Sequence, residues 1–236
     1  MVIYIKKGFS ILMLLIGVSG MLYAGINIHS YINEYKVSEE KYEELAQIYN
    51  DEPNNEQKLL EMNKDYIGWI SVEGTEIEYP VVVTDNNEYY LNHNFYNEPD
   101  KVGAIFMDYR NSSEHLGKNT IIYGHNMKDE SMFGSLKKLI HEDVSNNPKI
   151  TFEFQDKTYE WEIFTAYETY TEEWMQVKFE DDHEFTSYID TLESNSDKFP
   201  LKENLNSSDK LITLATCTPN DLNERLVVQG KLIKDE

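Results

Sequence analysis

The chain has 236 residues, with 21 Lys plus Arg against 43 Asp plus Glu, a formal net charge of −22, one Cys and 13% aromatic residues. That charge would be repelled by a phosphate backbone, and only Arg110 and Arg225 offer guanidinium groups, so nucleic-acid binding is excluded. A hydrophobic fraction of 40%, rich in Tyr and Phe, excludes a disordered acidic chain and predicts one sizeable folded domain with an appendage.

Residues 8–28 carry no charged side chain. As a helix they reach roughly 30 Å, the thickness of a bilayer's hydrocarbon, and they exceed the apolar region of a cleaved signal peptide. Lys6 and Lys7 precede this stretch and Glu34, Glu39 and Glu40 follow it. The positive-inside bias therefore predicts a cytoplasmic segment at 1–7, an uncleaved transmembrane signal anchor at 8–28, and everything beyond it extracytoplasmic, at the cell membrane. Residues 29–64, with Val37, Leu45, Ile48, Leu59, Leu60 and Met62 as the apolar minority, read as two helices interrupted at Pro53.

From Asp65 the pattern changes to short β-branched and aromatic segments between Gly, Asn, Asp and Pro turns. Strands are predicted at 68–73, 76–83, 103–108, 119–123, 149–155, 158–170, 211–217 and 226–234, with a hairpin linked by Asp156-Lys157. Two helices interrupt them. In one, Met132, Phe133, Leu136, Leu139 and Ile140 recur at helical spacing; in the other, Phe185, Tyr188, Ile189 and Leu192 form one apolar face. A mainly β domain over 65–236, a closed barrel with inserted helices, fits this series, because closure removes exposed sheet edges.

Cys217 is unpaired in a chain expected to be exported, so it is either a buried inert residue or a nucleophile. It closes the apolar run Leu211–Cys217 and precedes a turn at Thr218-Pro219-Asn220-Asp221, and strand ends are where scaffolds expose functional groups. Arg225 opens the next strand, so the two side chains can face across one end. A thiol of pKa about 8.5 needs an imidazole or another cation nearby to become thiolate. Of six histidines, His125 repeats the strand-end placement after Thr120-Ile-Ile-Tyr-Gly, and His93 is the runner-up. No metal-ligand spacing, phosphate-binding glycine loop or Gly-x-Ser-x-Gly elbow is present, so neither metal nor cofactor is expected.

These residues assemble into a resemblance. Thr213-Leu214-Ala215-Thr216-Cys217 resembles the Thr-Leu-x-Thr-Cys signature of sortases, the membrane-anchored cysteine transpeptidases of Gram-positive bacteria. Tyr123-Gly124-His125 and Arg225 follow the family's order of His, Cys and Arg. Residues 90–96 and 103–111, the helices before the barrel and the helix at about 182–195 resemble class B. The resemblance implies an eight-stranded sortase β-barrel in which Cys217, His125 and Arg225 are catalytic. It implies that the enzyme cleaves a C-terminal sorting motif of secreted proteins through a thioacyl enzyme and joins them to an amine of peptidoglycan or its lipid-linked precursor. It further implies substrate contacts at Asn92, Ala215, Tyr188 and Ile189, although Ala215 stands where some relatives carry a hydroxyl, and core packing is an equal reading for Tyr188 and Ile189. A sortase of another class, a cell-wall cysteine peptidase and a non-catalytic anchored binding domain are the alternatives.

Overall fold

A computed structural model describes residues 2–51, 53–142, 144, 147–193, 199, 204–218 and 223–235. The chain divides into two units, Met1–Glu43 and Glu44–Glu236. Helix α1, Val2–Asp51, runs through the whole described part of the first unit. Its stretch Met13–Asp51 contains a window long and apolar enough to cross a membrane, with none of that window buried. The polar side chains of Ser19 and Asn27 return hydrogen bonds to the carbonyls of Leu15 and Tyr23, the usual way such residues are accommodated mid-helix.

Eight strands form the body of the second unit: β1 Tyr66–Val72, β2 Glu78–Val82, β3 Ile105–Met107, β4 Asn119–Tyr123, β5 Lys149–Phe154, β6 Lys157–Thr169, β7 Leu211–Cys217 and β8 Arg225–Asp235. They close into a barrel in the order β1-β2-β3-β4-β7-β8-β6-β5. Two neighbouring pairs are parallel, β2 with β3 and β4 with β7, and the rest are antiparallel. Alternation builds the core: Ile150, Phe152 and Phe154 of β5 are buried while their neighbours are partly exposed.

Two sequence expectations are corrected in detail. The β5–β6 hairpin is linked by Gln155-Asp156, not Asp156-Lys157. Both link residues have positive φ (54° and 58°), the pattern of a two-residue turn matched to strand twist, and Lys157 already pairs with Phe154. The helix expected over 132–140 is shorter: a 3-10 turn at Gly134–Lys137 continues into α3, Lys138–His141. Met132 has φ 52° and bridges to Asn126, so it closes a narrow loop instead of starting a helix. The two helices expected on either side of Pro53 are present: α1, which runs unbroken from the apolar segment to Asp51, and α2, Asn55–Met62.

Helix α4, Asp182–Glu193, lies between β6 and β7 and begins with Asp182 and Glu184, acids that suit a helix N-terminus. Phe185, Tyr188, Ile189 and Leu192 are buried with Phe164 of β6 and Leu211 of β7. This covers the outer face of β7, the face that alternation gives to Leu211, Thr213, Ala215 and Cys217. The polar groups trapped there are joined to one another. Thr213 donates to Asn119 (2.8 Å), Asn119 donates to the Tyr188 hydroxyl (3.0 Å), and Gln229 donates to both Thr213 (3.2 Å) and Tyr188 (3.3 Å). Burial pushes the Tyr188 phenol up, so it stays neutral and able to donate to the Trp174 carbonyl.

Candidate active site

The parallel register of β4 and β7 sets Tyr123 opposite Ala215. Two residues further along each strand direction stand His125 and Cys217. The antiparallel register of β7 and β8 sets Cys217 opposite Arg225. Three adjacent strands thus bring His125, Cys217 and Arg225 to the same end of the barrel.

Each is held by its backbone surroundings. His125 Nε2 lies 2.7 Å from the carbonyl of Leu91, at the end of a 3-10 turn, Tyr89–Leu91. A carbonyl only accepts, so Nε2 carries a proton and Nδ1 is the nitrogen available to exchange one. The approach of that turn depends on Gly103, whose φ is +65°. A Cβ there would stand 2.6 Å from the Tyr90 oxygen and 3.0 Å from His125 Cδ2. Gly124 is equally confined, because a Cβ would meet Ile105 Cδ1 at 2.4 Å and Phe133 Cγ at 2.8 Å.

Cys217 is half-buried. Its carbonyl accepts a hydrogen bond from Asn126 Nδ2 at 2.7 Å. Just past it, Thr218 N–H donates to the Glu224 carbonyl (3.1 Å), and its hydroxyl donates to the Glu224 carboxylate (2.7 Å). The same Glu224 carbonyl accepts from Arg225 Nη1 (3.1 Å). These bonds tie the end of β7 to the start of β8, while the turn expected at Pro219-Asn220-Asp221 lies outside the described residues.

Below His125 on β4, Tyr123 donates to Asp108 at 2.8 Å. The fully buried Asp108 carboxylate also takes Nε (2.8 Å) and Nη2 (2.7 Å) of Arg110, together with Asn87 Nδ2 (3.0 Å). Burial alone would raise the Asp108 carboxyl, but hydrogen bonds from the Arg110 side chain and backbone and from Tyr123 hold it below the usual carboxylate range. Arg110 is therefore a structural partner of a buried charge.

The other site residues named from sequence fall differently. Asn92 is exposed and follows the Leu91 carbonyl that meets His125. Ala215 is 1% exposed and packs with Ile121, Trp174, Val177 and Val227. Tyr188 and Ile189 turn into the core beneath α4. The Tyr188 hydroxyl meets Gln229, which pairs with Thr213, four residues before Cys217 and so roughly 13 Å back along the strand. His93 is engaged locally, stacked on the Tyr89 ring at 4.1 Å with Nδ1 against the Tyr89 carbonyl. Asn126, Asn119 and Asp108 escaped the sequence reading. Asn126 directly follows His125, yet no local pattern announces that its side chain reaches Cys217. Among the described residues no group of three or more His, Cys, Asp or Glu side chains could hold a metal ion.

The sortase domain family matches residues 70–233. Sortase B of Listeria monocytogenes is 37% identical over 96% of this chain and 96% of its own length. Sortase B of Bacillus anthracis, solved in complex with AAEK1, superposes with a TM-score of 0.78 at 34% identity, covering 86% of this chain and 99% of that one. A Staphylococcus aureus sortase B–substrate complex has a TM-score of 0.75 at 31% identity, covering 85% and 98%. With the barrel, the His–Cys–Arg register and these matches together, the chain belongs to the sortase family and is a cysteine transpeptidase of the sortase B type.

Proposed function

We propose that this enzyme is held at the cell membrane by residues 8–28, with 1–7 cytoplasmic, 29–64 a helical segment and the catalytic domain of 65–236 extracytoplasmic, and that it joins secreted proteins to the cell wall. Cys217 Sγ attacks the carbonyl carbon of the threonine in a C-terminal sorting motif. The tetrahedral intermediate collapses by breaking the C–N bond. His125 gives the departing amine its proton, which leaves a thioacyl enzyme. An amine of peptidoglycan or of its lipid-linked precursor then attacks the thioester and loses a proton to His125 as the thiolate leaves. Arg225 donates to the oxyanion or to the substrate backbone.

Around this chemistry, Asn92 contacts the substrate, and Ala215 lines the substrate groove from beneath Trp174 and Val177. Tyr188 and Ile189 serve the pocket from inside, by fixing α4 as its wall. The observation that carries the reading is the register of β4, β7 and β8, which aligns His125, Cys217 and Arg225 across three adjacent strands. The test uses the full chain in detergent micelles with a panel of sorting-type peptides, with and without amine acceptors such as diaminopimelate, read by mass spectrometry. The expected outcome is cleavage after threonine with an acceptor-joined product, absent for Cys217→Ala. A product that survives in Cys217→Ala would overturn the assignment of the nucleophile, and free acid with every acceptor tried would favour a hydrolase.

A further inference from the structure

His125 and Cys217 both lie beyond the β4–β7 ladder. Its last strand pair is Tyr123 with Ala215, and the next backbone contact, Gly124 N–H to the Ala215 carbonyl, is already long at 3.4 Å. The ladder by itself does not fix how far apart the imidazole and the thiol stand. One short hydrogen bond crosses that gap, from Asn126 Nδ2 to the carbonyl of Cys217 at 2.7 Å.

Asn126 is itself held in place. It bridges to Met132, and the His125 carbonyl accepts from Phe133 N–H at 3.0 Å. Met127, Met132 and Phe133 are buried, and Met132 N–H donates to the Tyr79 hydroxyl at 3.1 Å. The turn ends at Gly134, where a Cβ would stand 2.2 Å from the Met127 oxygen, so the loop is closed against itself. The far side of the imidazole is fixed by the Leu91 carbonyl. A rigid loop carrying His125 therefore reaches across to grip the peptide unit of the nucleophile.

We propose that Asn126 is a positioning residue, whose amide sets the distance and orientation of the Cys217 thiol relative to His125. This rests on the assignment of those two residues as nucleophile and acid–base group. A fixed peptide plane at Cys217 limits the direction of its Cα–Cβ bond, which leaves sulfur only the few staggered positions about that bond. Reactivity is steeply sensitive to such placement, whereas a half-buried neutral hydrogen bond can be replaced by water with little effect on folding.

The test compares the full-length wild type with Asn126→Leu, which keeps the volume and loses the donor, and Asn126→Ala, which loses both. Three quantities are read: kcat and KM for transpeptidation, the pH dependence of Cys217 alkylation, and the thermal midpoint. Both variants are expected to lose roughly ten- to hundredfold in kcat with KM within about twofold, on the scale of a misplacement of about 1 Å. The alkylation profile of Cys217 should differ from wild type in both variants. Asn126→Leu with wild-type kcat and alkylation profile would overturn the proposal. So would a loss of activity in both variants that follows the loss of folded protein while the alkylation profile of the folded fraction stays unchanged. Cys217→Ala, run alongside, separates the two levels: activity there would refute the assignment of the nucleophile and the proposal that rests on it, whereas an inactive Cys217→Ala beside a wild-type-like Asn126→Leu would refute the positioning role alone.

Discussion

The two ends of the barrel are built from different materials. At one end β4 and β7 run out together and β8 begins, so His125, Cys217 and Arg225 arrive side by side, with His125, the Cys217 peptide and Arg225 each meeting a backbone carbonyl or an amide. At the other end, around the Gln155-Asp156 turn, Glu56, Glu153 and Asp156 crowd together. There Tyr49 stacks on Trp69 at 4.1 Å, and Tyr66 is buried with its hydroxyl unpartnered among the described residues. Burial, followed by a hydrogen bond and charge from Asp156 and the charge of Glu153, pushes the Glu56 carboxyl up to about 7. A shifted carboxyl here marks crowding in the scaffold of a very acidic chain. His125, Cys217 and Arg225 lie instead where strand order and register converge.

The sharpest way to break this contrast is at the site end. Cys217→Ala is expected to take transpeptidation to background while leaving the thermal midpoint within a few degrees, since a half-buried thiol contributes little packing. Activity loss together with unfolding would mean that the strand end is part of the core.

Next in size is the buried ion pair beneath β4. Arg110→Met leaves the Asp108 carboxylate buried without its main partner, at a cost of about 3–5 kcal/mol, or roughly a 10 °C fall in midpoint for a domain of this size. Asp108→Asn in the same chain should recover more than half of it. The sign with pH follows from the lowered Asp108 carboxyl. Its contribution is present above the unfolded carboxyl pKa of about 3.9 and is lost as pH falls through the lower folded value, so the cost of Arg110→Met should shrink in acid. Urea unfolding of the two variants at neutral and acidic pH measures both effects, and a cost that does not change with pH would deny that Asp108 is ionised.

A smaller effect is expected from Gly124→Ala, which drives a methyl group into Ile105 and Phe133. Overpacking of this kind costs about 1–3 kcal/mol. Because Gly124 immediately precedes His125, turnover should fall further than stability alone explains. Equal loss in both would show that the loop relaxes without moving the imidazole.

The eight strands were legible because β-branched and aromatic runs alternate between turn residues, and the ends of β4 and β7 were legible because an apolar run stops at His125 and Cys217. Beyond the β5–β6 hairpin and the β7–β8 pair, which strands neighbour each other was not. Nothing local in Asn119–Tyr123 says that it lies parallel to Leu211–Cys217, a segment almost a hundred residues away. Partners reached only through that pairing were hidden for the same reason, Asn126 on Cys217 and Asn119 on Thr213 among them. Periodicity found the apolar face of α4 but not what it meets, so Tyr188 and Ile189 could be assigned equally to a pocket or to the core. The β5–β6 turn was displaced by one residue because its left-handed positions are filled by Gln155 and Asp156, with no glycine to mark them.

The smallest expected effect tests the far end, and its sign is opposite to that of Asp108. A carboxyl raised to about 7 in the folded chain stabilises the fold fully below its unfolded pKa of about 4.3, and the stabilisation is lost as pH rises through 7. Above that pH an ionised Glu56 faces Asp156 and Glu153. Glu56→Gln keeps a hydrogen-bonding group toward Asp156 but cannot ionise. It should therefore match wild type near pH 5 and exceed it near pH 8. The full shift overstates the gain, because Glu56 is only partly buried and solvent screens its neighbours. About 1 kcal/mol, or 2–4 °C in midpoint, is the scale expected. Transpeptidation per folded molecule should not change at either pH, since Glu56 lies at the end of the barrel remote from Cys217. A pH-dependent change in kcat in this variant would show that the two ends are coupled, and the separation between scaffold and chemistry would have to be given up.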